Sequence, residues 1–186
     1  MTDPQACTCG ICDAGVSGDG DPSLGRTIDR VKKYGWSIQG VADYDEDEPD
    51  WAYTIGLWHS FRSPDLCMFG LDVEDMVGWL NDVAELVERG LRPQVGDVVP
   101  GVLEGFLLQL RPVDESWFEG LFGQSLDFYG KPSPMLELIW PDRNGKLPWE
   151  DGVGARCREW QPQLSVPVDQ HIVGPWRDIA TEVDES

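Results

Sequence analysis

The sequence has no run of apolar residues that approaches the roughly 18 needed to cross a bilayer as a helix. Its first residues, Met1-Thr2-Asp3-Pro4-Gln5, also lack the basic and apolar segments of a secretory signal peptide. Both absences favour a soluble protein that stays in the cytoplasm and does not bind membranes. Cysteines in that compartment are normally reduced, so a disulfide framework is not expected.

The sequence also lacks the common catalytic signatures. It contains no phosphate-binding loop, no Gly-x-Gly-x-x-Gly after a strand, no Gly-x-Ser-x-Gly elbow and no His-Glu-x-x-His pair. Histidine occurs only twice, as His59 and His171. The sequence therefore lacks the motifs of the commonest hydrolases, kinases and nicotinamide-dependent enzymes.

Basic residues are scarce. The chain has 14 Lys and Arg against 34 Asp and Glu, for a net charge of −20. Such a charge repels nucleic acid and favours a basic protein partner, although solubility alone is the simpler explanation. Six acids fall within Asp43–Asp50, and this segment is predicted to be an exposed loop. Its centre supplies the candidate partner-binding residues Asp45, Glu46, Asp47 and Glu48.

Enough apolar material is present for one core, since 41% of the residues are hydrophobic and nine are Trp. Residues 1–22 are rich in Cys, Gly and Asp and are predicted to be a flexible arm. Residues 23–180 are predicted to form a single domain, and residues 181–186 an acidic tail. No internal repeat divides the chain.

The periodicity of the domain predicts an α+β fold. Two principal helices are expected at 23–34 and 73–89, because apolar residues recur at helical spacing between capping signals. Short alternating or apolar runs bounded by turns predict strands joined mainly as antiparallel hairpins. The expected strands lie at 36–41, 51–57, 66–71, 102–110, 135–140 and 164–168, with His59 in a turn and a short helix or two turns at 115–129.

An ordered series of short motifs resembles the domain of unknown function 4262 family. The series consists of Cys9-Gly10-Ile11-Cys12-Asp13, Gly35-Trp36-Ser37-Ile38-Gln39-Gly40-Val41, Tyr53-Thr54-Ile55-Gly56-Leu57, Phe69-Gly70-Leu71, Phe128-Tyr129-Gly130, Trp140-Pro141-Asp142, Gly145, Pro148-Trp149 and Gln161-Pro162. The first motif is similar to the opening of many actinobacterial members, and Cys7 is an addition to it. The resemblance implies a fold and no activity.

The arm carries a Cys-x-Cys-x-x-Cys cluster, Cys7, Cys9 and Cys12. Three closely spaced thiolates can share one tetrahedral zinc ion, with Cys157, Cys67 or a histidine as the fourth ligand. No second Cys or His pair at fixed spacing accompanies them. Redox or regulatory thiols, or an arm without a chemical role, therefore remain alternatives to a zinc site.

Two functions from different classes follow. The leading hypothesis is a non-catalytic interaction or regulatory protein, comparable to bacterial immunity proteins, which binds a basic partner through the acidic loop and Trp140 and Trp149. The alternative is an enzyme of unrecognised type with a pocket around four side chains. Those candidate catalytic residues are Tyr53, Thr54, His59 and Asp142. A loose similarity in element order to small flavin-binding barrels makes flavin a candidate ligand of that pocket.

Overall fold

The computed structural model describes residues 7–12, 21–42 and 48–182. Six strands form one sheet in the order β1-β2-β3-β6-β5-β4. The strands are β1 (Ser37–Val41), β2 (Trp51–Ile55), β3 (Asp65–Phe69), β4 (Val98–Val99), β5 (Leu108–Pro112) and β6 (Met135–Ile139). Neighbouring strands pair antiparallel except β3 and β6, which are parallel. The predicted α+β fold with a mainly antiparallel sheet is confirmed.

Seven helices accompany the sheet in the described part of the chain. They are α1 (Pro22–Tyr34), α2 (Leu57–Phe61), α3 (Val73–Glu88), α4 (Phe118–Leu121), α5 (Gly123–Tyr129), α6 (Ala155–Glu159) and α7 (Trp176–Glu182). The two longest, α1 and α3, are the two helices expected from periodicity. Asp72 caps α3 as predicted, by accepting backbone N–H bonds in its first turn. The cap of α1 is Asp21, which accepts from the Ser23 N–H, so this helix begins at Pro22 and is not capped by Ser23 at the predicted start.

The two faces of the sheet bury separate hydrophobic clusters, because alternate residues of each strand point to opposite sides. One face, including Ala52, Leu66 and Met68, packs with Met76 and Leu80 of α3. The other face buries most of the large aromatic side chains against α1, α4, α5 and α7. These are Tyr53, Phe69, Trp117, Phe118, Phe122, Phe128, Tyr129 and Trp176.

Three local predictions were wrong. The strand expected at 102–110 begins only at Leu108, because Gly101 and Gly105 adopt positive φ and the segment between them turns. Residues 164–168 form no strand, since the Leu164 carbonyl accepts from the Asp114 N–H outside any ladder. The turn expected around His59 is the short helix α2.

Several predicted segments lie partly outside the described residues. For the acidic loop, residues 43–47 are outside and Glu48 is exposed. For the arm, only residues 7–12 are described, and for the tail, residues 183–186 are outside. None of the helices in the described ranges combines the length and apolarity required to span a membrane.

Candidate metal centre

Three cysteines of the arm and one histidine of the domain converge at one point. The Nδ1 atom of His59 lies 3.1 Å from Sγ of Cys9, 3.3 Å from Sγ of Cys12 and 3.9 Å from Sγ of Cys7. All four ligand atoms lie within 4.8 Å of one another. The structure therefore brings the three predicted cysteine ligands together with a histidine.

The helix α2 positions His59. Gly56 precedes it with φ of 111°, and a Cβ there would lie 2.7 Å from a methyl carbon of Val31. Glycine thus permits both the left-handed turn and the close approach of α1. The chain turns directly from β2 into α2, and the imidazole packs edge-on against the ring of Phe128 at 6.5 Å between centroids.

Hydrogen bonds to backbone carbonyls hold the cysteine arm against the end of α5. The N–H of Gly10 donates to the Phe128 carbonyl at 2.7 Å, and the Thr8 hydroxyl donates to the Tyr129 carbonyl at 3.3 Å. A turn closed by the Cys12 N–H and the Cys9 carbonyl, at 2.9 Å, brings those two thiols to the same side. Cys9 is fully buried in the aromatic core, whereas Cys12 is exposed.

The dimensions of the cluster suit a tetrahedral ion. Zinc lies about 2.3 Å from thiolate sulfur and about 2.0 Å from imidazole nitrogen, so sulfur and nitrogen ligands of one tetrahedron are roughly 3.6 Å apart. The three S–N distances, 3.1 to 3.9 Å, bracket that value. A set of three thiolates and one imidazole selects soft or borderline metals such as zinc over calcium or magnesium.

The electrostatics of the site favour metal binding at His59 and oppose thiolate formation at Cys7. Burial, with a smaller contribution from the Arg62 cation, lowers the pKa of His59, which keeps the imidazole in the neutral form that coordinates metals. Burial raises the pKa of the Cys7 thiol, and the neighbouring Cys9 adds to that effect. The guanidinium of Arg62 acts on Cys7 in the opposite direction. The Arg62 cation therefore stands beside one thiol, Cys7, which would carry negative charge on a metal.

Asp65 is a buried carboxylate that joins the elements next to the cysteine–histidine cluster through hydrogen bonds. Asp65 accepts hydrogen bonds from the Tyr129 hydroxyl at 2.6 Å, the Thr54 hydroxyl at 3.0 Å and the Leu57 N–H at 3.0 Å. The Tyr129 hydroxyl in turn accepts from the Gly56 N–H at 2.9 Å. Desolvation raises the pKa of Asp65 to about 6 despite these bonds. The network joins β2, β3, α2 and α5.

The other candidate catalytic residues have different surroundings. Tyr53 is buried with its ring 5.1 Å from that of Phe122, and Thr54 belongs to the Asp65 network. Asp142 accepts backbone N–H bonds from Asn144 and Lys146 within its own turn and from Gly154, and these bonds lower its pKa. His59 alone among the four contacts the cysteines.

The candidate partner-binding tryptophans differ in exposure. Trp140 is buried, and its indole N–H donates to the Phe69 carbonyl at 2.8 Å. Trp149 is 37% exposed, and the guanidinium of Arg111 lies 4.3 Å from its ring. Of this pair, only Trp149 offers appreciable surface to a partner.

The remaining cysteines are not ligands of this centre. Cys67 is buried within β3, and burial raises its pKa strongly. Cys157 is buried near the carbonyl of Trp140, with its pKa raised to about 11 by burial. Both had been alternatives for the fourth ligand, and the histidine alternative is the one that the geometry supports.

Sequence reasoning missed Asp65, Tyr129 and Arg62 as parts of the site. Asp65 follows a proline at the start of an apolar run and gives no signal of burial. Tyr129 stands in the Phe128-Tyr129-Gly130 motif and fits an aromatic core or recognition face, but the motif gives no sign that its hydroxyl donates to a buried carboxylate.

Comparison with known proteins gives one match. The model of the family described as domain of unknown function (DUF4262) matches residues 30–154, more than half of the chain. His59, Asp65 and Tyr129 lie inside the matched range, whereas the three arm cysteines precede it. No curated protein and no solved structure matches the chain.

Proposed function

The chain belongs to the domain of unknown function 4262 family, and we propose that this member is a zinc-binding protein. Cys7, Cys9, Cys12 and His59 would be the ligands. One observation carries the proposal, namely the convergence of three thiols and one imidazole nitrogen within 4.8 Å. Four protein ligands complete a tetrahedron and leave no position for a substrate, so the zinc is structural.

The role of the ion would be to fasten the arm to the domain. The cysteines lie on one segment and His59 lies on α2, about 50 residues away along the chain. Two hydrogen bonds and the burial of Cys9 hold the arm against the domain, and coordination bonds would add to that attachment. Zinc binding and arm docking are then one equilibrium, and removing the metal releases the arm.

Metal analysis of protein purified without chelator tests this proposal. We expect about one zinc per chain, and less than about half an equivalent would contradict a structural site. His59→Ala and Cys9→Ser should lose the zinc, whereas Cys157→Ser, which alters a buried thiol elsewhere, should keep it. Full zinc content in His59→Ala would contradict the proposed ligand set.

Cobalt substitution gives a readout that does not require a variant to fold. Chelator-treated wild-type protein should take up one cobalt(II) ion and develop strong visible absorption that is typical of tetrahedral thiolate coordination. Zinc should then displace the cobalt. Weak absorption typical of octahedral cobalt would contradict a site with three thiolates.

A second proposed function is non-catalytic binding of a basic protein partner. The net charge of −20 supports it, and so does the exposure of Glu48 and Trp149 at two of the candidate contact positions. None of the five cysteines is in a disulfide, which supports the further proposal of a reducing, cytoplasmic location.

The enzyme alternative remains a prediction. Tyr53, Thr54 and Asp142 have partners other than the cysteines. We prefer the interaction hypothesis because the sequence carries no common catalytic motif. Saturable turnover of any compound in a broad metabolite screen, with or without added flavin, would reverse that preference.

A further inference from the structure

The three thiols of the metal centre differ in their access to solvent. Cys9 is fully buried, Cys7 is half-buried and Cys12 is exposed. The other two cysteines of the chain, Cys67 and Cys157, are both buried. Dissolved oxidants react first with exposed thiols, because the oxidant has to touch the sulfur atom. Cys12 is therefore the cysteine at which such an oxidant would act first.

Cys9 is well placed to form a disulfide with Cys12. Their Sγ atoms lie 3.1 and 3.3 Å from the same atom, Nδ1 of His59, and all four ligand atoms lie within 4.8 Å of one another. The Cys12 N–H donates to the Cys9 carbonyl at 2.9 Å, which closes the turn between the two residues. A disulfide needs sulfur atoms about 2.0 Å apart, and rotation of the exposed Cys12 side chain shortens their separation.

Cys7 is a less suitable partner for either thiol. Only Thr8 separates it from Cys9, and a disulfide across a single residue closes a small, strained ring. Its Sγ is also the one furthest from Nδ1 of His59, at 3.9 Å. Two residues separate Cys9 from Cys12, which is the spacing of the Cys-x-x-Cys pairs that undergo reversible oxidation in other proteins.

We propose that Cys9 and Cys12 are a reversible oxidation site, at which a hydroperoxide converts the two thiols to a disulfide. The Cys12 sulfur attacks one peroxide oxygen, an S–O bond forms and the O–O bond breaks, which gives a sulfenic acid and one molecule of water or alcohol. The Cys9 sulfur then attacks the Cys12 sulfur, an S–S bond forms and the S–O bond breaks, which releases water. Two electrons pass from the thiols to the peroxide, and both thiol protons leave in the products.

Oxidation would also dismantle the metal centre, and this step rests on the proposed function. The disulfide removes two of the four proposed ligands and leaves only Cys7 and His59. Zinc binds thiolates, and the sulfur atoms of a disulfide carry no negative charge. Zinc release would in turn remove the coordination bonds between the arm and α2. Formation of the disulfide and loss of the zinc should therefore occur together.

The exposure of Cys12 also permits the reverse reaction. Its sulfur in the disulfide would remain open to attack by a small thiol, which is how a reducing compartment restores such bonds. Cys67 and Cys157 are buried in β3 and α6, so neither is accessible for exchange with the arm. The oxidised arm should therefore return to the dithiol form and bind zinc again.

Treatment of the zinc-loaded full chain with hydrogen peroxide tests the proposal. A chromophoric indicator measures released zinc, and mass spectrometry after alkylation of the remaining thiols measures the cysteines. Trypsin leaves all three arm cysteines in one peptide, residues 1–26, and the disulfide lowers its mass by two hydrogen atoms. The cysteine that remains alkylated identifies the pair. We expect one zinc released per disulfide formed, and a phosphine reductant should restore both the thiols and zinc binding.

The chain offers internal and matched controls. Cys67 and Cys157 should be oxidised at least about tenfold more slowly than Cys12 in the same sample, because they are buried. Cys12→Ser and Cys7→Ser each lack one proposed zinc ligand, so the two variants are compared as metal-free proteins. Cys7→Ser should still form the disulfide, whereas Cys12→Ser should form none within residues 1–26. Equal disulfide formation in both variants would overturn the proposal.

Zinc content before treatment separates the two proposals. Zinc-loaded protein that keeps its metal and forms no disulfide would overturn the oxidation site alone. A reversible disulfide between Cys9 and Cys12 in protein that never contains zinc would overturn the zinc centre and support the oxidation site. Oxidation of Cys12 only to sulfinic acid, a disulfide between two chains, or one between Cys7 and Cys12 would contradict the proposed pair.

Discussion

At the scale of single residues, Arg62 combines an unfavourable backbone with a useful charge. It is the one non-glycine residue of the described ranges with positive φ, 55°, at the end of α2. The left-handed conformation costs an ordinary residue about 1–2 kcal/mol. A zinc ion with three thiolates carries one net negative charge, and the guanidinium near Cys7 would compensate it. If zinc binds, the strained backbone of Arg62 would place a cation next to the negatively charged centre.

Replacing Arg62 by glycine should separate those two effects. Arg62→Gly relieves the backbone, so the stability of the metal-free protein should change by less than about 1 kcal/mol. Zinc affinity should fall about two- to fivefold, because an exposed charge contributes only modestly. Competition with a chromophoric chelator measures the affinity. Arg143→Gln removes a distant exposed cation, and an equal loss there would show that only net charge matters.

At the scale of elements, the Asp65 network determines where α2 and α5 meet the sheet. A buried carboxylate with a pKa raised from 3.8 to about 6 binds its proton more tightly in the native state than in the unfolded chain. The native state therefore gains stability as the pH falls through 6 towards 4 and loses it as the pH rises. The hydrogen bonds to Asp65 reduce the free-energy cost of burying its charged form but do not remove it.

Asp65→Asn tests the sign of that pH dependence. Between about pH 7.5 and about pH 5.5, wild type should gain roughly 1 kcal/mol of unfolding free energy relative to the variant. Urea unfolding at the two pH values measures the difference. The metal ligands are common to both proteins, so their own titration cancels. Asp169→Asn, at an exposed carboxylate, should show no such change, and a constant gap between wild type and Asp65→Asn would contradict the burial argument.

The packing of α4 against α7 closes the aromatic core. A Cβ on Gly120 of α4 would lie 2.1 Å from the carbonyl oxygen of Ala180 in α7, so the two backbones are in contact. Trp176 of α7 is fully buried, with its ring 4.9 Å from that of Phe69. The absence of a side chain at Gly120 is therefore a packing requirement.

Gly120→Ala should destabilise the protein by about 2 kcal/mol or more, because α7 must move away from the sheet. Gly123→Ala is the matched control, since a Cβ there meets nothing within 4 Å. It should be neutral or slightly stabilising through its better helix propensity. Thermal unfolding followed by near-ultraviolet circular dichroism measures both, and equal stability of the two variants would show that α7 is not tightly packed.

At the scale of the whole molecule, net charge is the dominant property. A charge of −20 produces a field that accelerates encounter with cationic proteins at low salt and is screened at high salt. The segment from Asp43 to Asp50 concentrates part of that charge at one place in the sequence. The net charge would act on any basic partner, whereas this segment would act only on one that docks beside it.

The test replaces four acids of the loop by serine, Asp45, Glu46, Asp47 and Glu48. The replacement should slow association with a co-purifying basic partner about tenfold at low salt and little at high salt. Thermal stability should stay unchanged. Surface plasmon resonance at two salt concentrations measures the rates. The control removes four acids from α3 instead, with the substitutions Glu74→Gln, Asp75→Asn, Asp82→Asn and Glu88→Gln. Equal slowing in both would assign the effect to net charge and remove the loop from the binding surface.

The sequence by itself determined the features that depend on neighbouring residues. Gly35 ends α1, Asp72 opens α3, and the apolar spacing of each helix is local information. The sequence was less informative at 102–107. Its apolar composition indicates a strand, but Gly101 and Gly105 adopt positive φ and the backbone turns there. It also identified three of the four proposed metal ligands, because Cys7, Cys9 and Cys12 are close neighbours along the chain.

Only the tertiary structure decided the fourth ligand and the surroundings of the centre. His59, Asp65 and Tyr129 approach the arm or one another because β2, α2, β3 and α5 pack together. His59 is 50 positions from Cys9 and Tyr129 is 64 positions from Asp65, and these contacts depend on how whole elements fill the core. The parallel pairing of β3 with β6 is likewise a long-range arrangement. A local pattern carries no information on such distances, which is why a histidine expected in a turn is found among three thiols.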